Sequence, residues 1–184
     1  MTKKEYNKLD NSLESFELIK QKSEAHWLKK ELDVCWGYQI QKGTTWRKGL
    51  SEKELEDFQN LINIKFPQSL KNFYLTMNGL DKLGINVNGG EEKPTFYPTF
   101  YSYPEDIAII KEQIEIAFSY NSQELAKNTK IFPYFGHRFL DFTENEKVLS
   151  IYYDDIIYWS ENLAKGIAKD IFPTLASASV TLVP

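Results

Sequence analysis

Apolar positions along this chain switch between two periods. From about Asn11 to Leu32, Leu13, Phe16, Ile19, Trp27, Leu28 and Leu32 form an irregular helical face. Asn11, followed three places on by Glu14, has the form of a capping box at its start. Residues 34–41, VCWGYQIQ, alternate through Trp36, Tyr38 and Ile40, which predicts a strand, and KGTTWRKG follows as a loop. The helical period returns after Ser51, which with Glu54 makes a second capping box ahead of Leu55, Phe58, Leu61 and Ile62. Pro67 disfavours helix in Phe66 and suits the first turn of a new one. That helix carries Leu70, Phe73, Tyr74 and Met77, and Asn78-Gly79 is read as its left-handed stop.

Residues 80–103 read as loop and short strands, with a turn at the NGG of 88–90 and a break or edge at Pro98. Pro104 is placed to open a helix with Glu105 and Asp106 in its first turn and Ile107, Ile110, Ile114 and Phe118 along one face. NSQELAKNTK then reads as an exposed connection. Next come three strand-like segments, KIFPYFGHRFLDF, KVLSIYY and DIIYWS, separated by TENE (143–146) and by Asp154-Asp155. This spacing predicts an antiparallel meander. Ser160 is placed to cap a last helix carrying Leu163, Ile167 and Ile171 beside Ala164, Ala168 and Phe172, ended by Pro173. Residues 1–10 read as frayed, and the tail to Pro184 has no strong pattern. Helices before and after a meander predict one α+β domain, with helices packed on an antiparallel or mixed sheet.

Composition narrows the class. A chain of 184 residues with 42% apolar and 15% aromatic content buries a sizeable core. No apolar run reaches membrane-spanning length, and the basic start is not followed by the apolar stretch of a secretory signal. Cys35 is the only cysteine, so no internal disulfide forms and a reducing cytoplasm is the expected setting. The net charge of -4 is uneven: residues 1–50 hold ten basic and seven acidic side chains, and the remainder twelve and nineteen. With no basic run longer than Lys29-Lys30, direct nucleic-acid binding is not expected. The acidic part either solvates the surface or attracts a basic protein.

Candidate chemistry is sparse. His26, His137 and Cys35 fall at no metal-ligand spacing, so neither zinc nor another metal is expected. Cys35 lies in an apolar run without a neighbouring base and reads as a core residue. Asp154 and Asp155, adjacent on a strand, would point to opposite faces and read as turn residues rather than paired carboxylates. The glycines at 79, 84, 89 and 90 form no nucleotide fingerprint, and no cofactor or catalytic residue is assigned. In FGHRF (135–139), His137 and Arg138 either grip an anion or divide, one turning inward onto a backbone carbonyl and the other facing water.

Four segments in order carry a resemblance. They are GYQIQKGTTWRKGLSEKE (Gly37, Trp46, Gly49, Leu50, Glu54), FPQSLKNFYLTMNG (Phe66, Pro67, Phe73, Leu75, Asn78, Gly79), GHRF (His137, Arg138), and VLSIYYDDIIYWSENL (Asp155, Ile156, Tyr158, Trp159, Leu163). Over roughly residues 36–172 the chain resembles the SUKH superfamily, the Smi/Knr-type immunity and cell-wall-regulator proteins. It departs in its long N-terminal helix and in its tail after Pro173. The resemblance implies an α+β fold, no catalysis, and a bacterial immunity protein that binds and neutralises a cognate toxin, such as a basic nuclease, in the cytoplasm. The competing readings are a small-ligand binder or enzyme with a pocket near His137 and Arg138, and an intracellular scaffold. For the toxin surface, charge and predicted turns nominate Glu91, Glu92, Glu105, Asp106, Glu144, Glu146, Asp154 and Asp155, with Tyr97, Tyr101 and Tyr103 as aromatic anchors.

Overall fold

A computed structural model describes residues 1–32, 37–87, 93–126 and 128–175. Cys35, Trp36, the NGG turn, Glu91 and Glu92 lie outside the described residues. So does the first part of the strand expected over 34–41, of which Gln39 makes an antiparallel bridge to Ile85.

The N-terminus is helical rather than frayed. α1 (Lys3–Asn7) begins with a capping box in which Thr2 and Glu5 exchange backbone and side-chain hydrogen bonds. α2 (Leu13–Trp27) is capped by Ser12 instead of Asn11, and it ends five residues before Leu32. Asn11 is used elsewhere: its Oδ1 accepts from the Ala164 amide at 3.1 Å and its Nδ2 donates to Glu146 at 3.1 Å. A tertiary contact outbid the local cap.

Trp46 lies in β1 (Trp46–Lys48), not in a loop, and is buried with its indole N–H on Ser23 Oγ at 2.7 Å. α3 (Glu52–Ile62) starts at the Ser51/Glu54 capping box, as its pattern predicts, and α4 (Gln68–Thr76) follows Pro67. Leu55, Phe58, Leu70, Phe73 and Tyr74 bury their side chains, whereas Leu61 is left half exposed. Phe58 packs against Phe66, Tyr74, Tyr103 and Phe132, with ring centroids 4.7–5.9 Å apart. Each fully buried ring contributes about 2–3 kcal/mol through lost contact with water.

Asn78-Gly79 does not cap α4. The helix ends at Thr76 and the chain enters β2 (Met77–Leu80), antiparallel to β1. Asn78 holds the backbone of Tyr103 from both sides, donating to its carbonyl at 2.6 Å and accepting from its amide at 2.8 Å. Gly79 has φ +70°, and a Cβ there would lie 2.6 Å from Ser102 Cβ. The positive φ that the Asn-Gly pair signals is real, but it serves a strand that must pass close to residues 100–102. Gly79→Val is therefore expected to cost about 2 kcal/mol, from left-handed strain together with the clash. An unchanged urea midpoint would refute it.

β3 (Gly84–Asn86) and β4 (Thr95–Tyr97) form a hairpin. Pro104 does not open the next helix. Residues 103–106 make a turn containing a cis Tyr103–Pro104 bond, and α5 runs Ile107–Tyr120. Glu105 and Asp106 thus precede the helix, and Asp106 instead accepts from the Ser102 amide and hydroxyl at 2.8 and 2.7 Å. The connection after α5 is anchored: Asn121 and Leu125 are buried.

The meander has four strands, because Gly136 (φ +48°) and His137 form a turn inside the segment expected to be one strand. β5 (Ile131–Phe135), β6 (Arg138–Asp141), β7 (Lys147–Tyr152) and β8 (Asp155–Ser160) are antiparallel in that order. α6 (Leu163–Ile171) is capped by Asn162, since Ser160 still belongs to β8. One sheet face buries Phe132, Leu140 and Val148 in the main core with Leu163, Ala164 and Ile167 of α6. The other buries Ile131, Phe139, Leu149 and Ile151 with Ala117 and Leu125. The result is an α+β fold in which helices cover both faces of an antiparallel sheet.

Candidate protein-binding face

Beside β8, the described residues cover the second sheet face incompletely. An open groove of about 720 Å³ runs there, with Leu149, Ile156 and Tyr158 among its lining. Glu124, Asp141, Glu144, Glu146 and Glu161 also line it, and among the described residues its one cation is Lys147. The β6–β7 turn supplies Glu144 and Glu146, the connection after α5 supplies Glu124, and the end of β8 supplies Glu161. Some of these acids are engaged: Asp141 accepts from Thr143 and pairs with Lys147 at 3.4 Å, and Glu161 pairs with Lys165. Glu124 and Glu144 stand exposed. Carboxylates converging on a concave surface favour a cationic occupant and slow an anionic one.

At the other end of the β7–β8 hairpin lies an aromatic cluster. Tyr152, Tyr153 and Tyr120 are 60%, 49% and 54% exposed. Tyr153 packs edge-on against both others at 4.8 and 5.0 Å, and His137 sits 5.6 Å from Tyr152. The turn is held by Asn121, whose Nδ2 donates to the Tyr153 carbonyl at 2.6 Å, and Tyr153 itself has φ +52°. Rigid exposed tyrosines of this kind anchor protein interfaces, because they bury area at small entropic cost.

Underneath, Arg138 turns inward. Its Nε donates to Asp170 at 3.1 Å and its Nη1 to Ser150 Oγ at 2.7 Å, and the guanidinium lies 3.7 Å from the Trp159 ring centroid. The Tyr134 hydroxyl donates to the other Asp170 oxygen at 3.1 Å. Lys169 Nζ lies 3.8 Å from the same indole and donates to the Trp159 carbonyl at 3.0 Å. The Asp170 side chain is only 2% exposed. Burial pushes its carboxyl up to about 7, with Arg138 and Tyr134 pulling the other way. The inward residue of the His137-Arg138 pair is thus the arginine, and it meets a carboxylate rather than a backbone carbonyl. The network ties β6, β7 and β8 to α6, and so fixes the position of the groove wall.

The nominated residues separate. Glu144 and Glu146 line the groove, and Asp154 and Asp155 are exposed where β8 begins. Glu105 pairs with Arg47 at 2.8 Å, away from the groove. Tyr101 is core, 1% exposed, with its hydroxyl on the Gly136 carbonyl. Tyr103 stacks on Phe58, and Tyr97 is half-buried against Tyr38. Tyr120, Tyr152, Tyr153 and Tyr158 are exposed instead, as is Tyr38 beside Tyr97, and sequence reasoning nominated none of them. The one local signal for two of them is their place at the end of an apolar strand, next to the Asp-Asp turn.

Of the motif residues, Trp46, Gly49, Asn78 and Gly79 are scaffold: a buried indole, two close backbone approaches and a backbone clamp. Among the described residues no group of three or more His, Cys, Asp or Glu side chains could hold a metal, and no helix is long and apolar enough to cross a membrane.

Comparison with curated proteins finds no match. A family profile does match, over residues 49–176, from Gly49 through the whole meander and α6. Those residues span most of the chain and include all three sides of the groove. The chain belongs to the SMI1 / KNR4 family (SUKH-1).

Proposed function

We propose that this protein is an immunity protein that binds and blocks a basic protein toxin, such as a nuclease, inside the cell that makes it. The observation that carries the reading is the groove: among the described residues it sets five carboxylates and one lysine around an apolar floor, on a chain whose family is one of immunity and regulatory proteins. A nuclease needs a cationic surface to hold phosphate, and an acidic concavity covers such a surface while speeding encounter. The binding role follows from surface shape and charge and needs no catalytic residue. The alternative of an anion pocket built on Arg138 has less support, because that guanidinium is already committed to Asp170, Ser150 and Trp159.

The test is association with the toxin-like product of a gene adjacent to that of this protein. Glu124→Lys with Glu144→Lys changes only exposed side chains and is expected to leave the melting temperature near that of the wild type. It should slow association about tenfold at low salt and flatten its dependence on ionic strength. Identical on-rates for the wild type and the folded variant would remove the groove from the interface.

A further inference from the structure

Of the two edges of the four-stranded sheet, one is closed. Beside β5, Phe100 bridges Phe135, the Tyr101 amide donates to the Tyr134 carbonyl at 3.2 Å, and the Gly136 amide to the Thr99 carbonyl at 3.1 Å. The other edge, β8, is different. Ile151 donates towards β6, so by antiparallel alternation Ser150 and Tyr152 exchange hydrogen bonds with Ile157 and Asp155. The amides and carbonyls of Ile156 and Tyr158 therefore point away from the sheet, and no hydrogen bond reaches them from other described residues. Edge strands are ordinarily blunted by lysine, proline or a covering element. β8 has no lysine or proline, and among the described residues the protection falls at its far end, from the irregular register around Trp159 and from Lys169 on the Trp159 carbonyl.

We propose that the outer edge of β8 is completed by an added strand: an extended segment of the partner protein, alternating basic and apolar side chains, pairs with Ile156 and Tyr158. This rests on the reading of the groove as the partner-binding face. The alternation follows from the two faces of β8. Side chains on the Ile156 and Tyr158 face enter the acidic groove, so those positions take Lys or Arg. The intervening ones lie beside Ile157, which is 51% exposed, and take apolar residues. Charge also selects against a second copy of this chain. Antiparallel pairing of β8 with itself would set the acidic start of one strand, at Asp154 and Asp155, beside Glu161 of the other.

The probe is a blocked octapeptide alternating Lys and Val, added to the full chain. A Glu/Val peptide and a Lys/Val peptide N-methylated at alternate residues serve as controls. Saturating Lys/Val peptide is expected to slow amide exchange at Ile156 and Tyr158 by about tenfold or more, and the N-methylated and Glu/Val peptides to leave it unchanged. Tyr158→Pro removes one outward donor at an edge position that tolerates proline, and is expected to weaken Lys/Val binding about tenfold. Binding that leaves both amides unprotected, or that the N-methylated peptide matches, overturns strand addition while the groove reading stands. Binding indifferent to Glu124→Lys with Glu144→Lys overturns the groove reading instead. Equal binding of the Glu/Val peptide, absence of Lys/Val binding at millimolar concentration, or protection that rises with protein concentration alone each overturns the proposal.

Discussion

Gly49→Ala is expected to unfold the protein or cost it about 3 kcal/mol or more, although the change adds one methyl group. A Cβ at this position would lie 1.9 Å from the Leu75 carbonyl oxygen and 2.4 Å from its carbon, distances no side-chain adjustment relieves because the obstacle is backbone. Nor can the two segments separate, since the Leu50 amide donates to the Tyr74 carbonyl at 2.8 Å on one side and β1 is paired with β2 on the other. Gly136→Ala is the control. Its φ is +48° but nothing lies within 4 Å of the added carbon, so it should cost only the left-handed backbone penalty of about 1–2 kcal/mol. Urea denaturation of both variants separates the two causes. A Gly49→Ala midpoint no lower than that of Gly136→Ala would show that the close approach does not limit the fold.

Arg138→Met should cost about 3–5 kcal/mol at pH 8 and distinctly less at pH 5. The sign comes from Asp170. Its carboxyl titrates at about 7 when folded, against 3.8 as its ordinary value, so between those pH values the folded state holds more proton than the unfolded one. Stability from this group is therefore fully present below about pH 4 and is lost as pH rises through 7. Removing Arg138 takes away the positive charge that favours the carboxylate. Loss then continues to higher pH, and the variant is penalised most where Asp170 is forced to ionise in a buried site. Asp170→Asn should flatten the pH dependence of stability over the same range. Urea melts of the wild type and both variants at pH 5 and 8 measure all three. A penalty for Arg138→Met equal at the two pH values would mean that Arg138 does not control the ionisation of Asp170 between them.

The same network explains why the candidate face was only half legible beforehand. His137-Arg138 was visible as a histidine and an arginine between aromatics, but the arginine's partner Asp170 is thirty-two residues away, on the last helix. KVLSIYY and DIIYWS were legible as strand-like segments from their apolar runs and the turns between them, yet neither has a polar face. Periodicity alone could not say that Tyr152, Tyr153 and Tyr158 are exposed while Tyr101 and Tyr134 are buried. Charge nominated Glu144 and Glu146 for a partner surface, and the structure places both along the groove. It also nominated Glu105, which pairs with Arg47 instead.

By itself the sequence determined what depends on neighbours along the chain. The Ser51/Glu54 capping box, the Pro67 start of α4, the heptad-like faces of α4 and α6 and the antiparallel strands are all local, because helix and strand periods and cap hydrogen bonds span only a few residues. Tertiary structure decided whatever pits a local preference against a distant partner. Asn11 gave up its cap for Ala164 and Glu146, and Asn78-Gly79 became strand because Tyr103 and Ser102 lie against them. The acidic groove exists only because the sheet brings the acids of residues 124, 141–146 and 161 to one side. A carboxylate's position in the chain carries no record of which other carboxylates will share its field, and that field is what a basic partner meets.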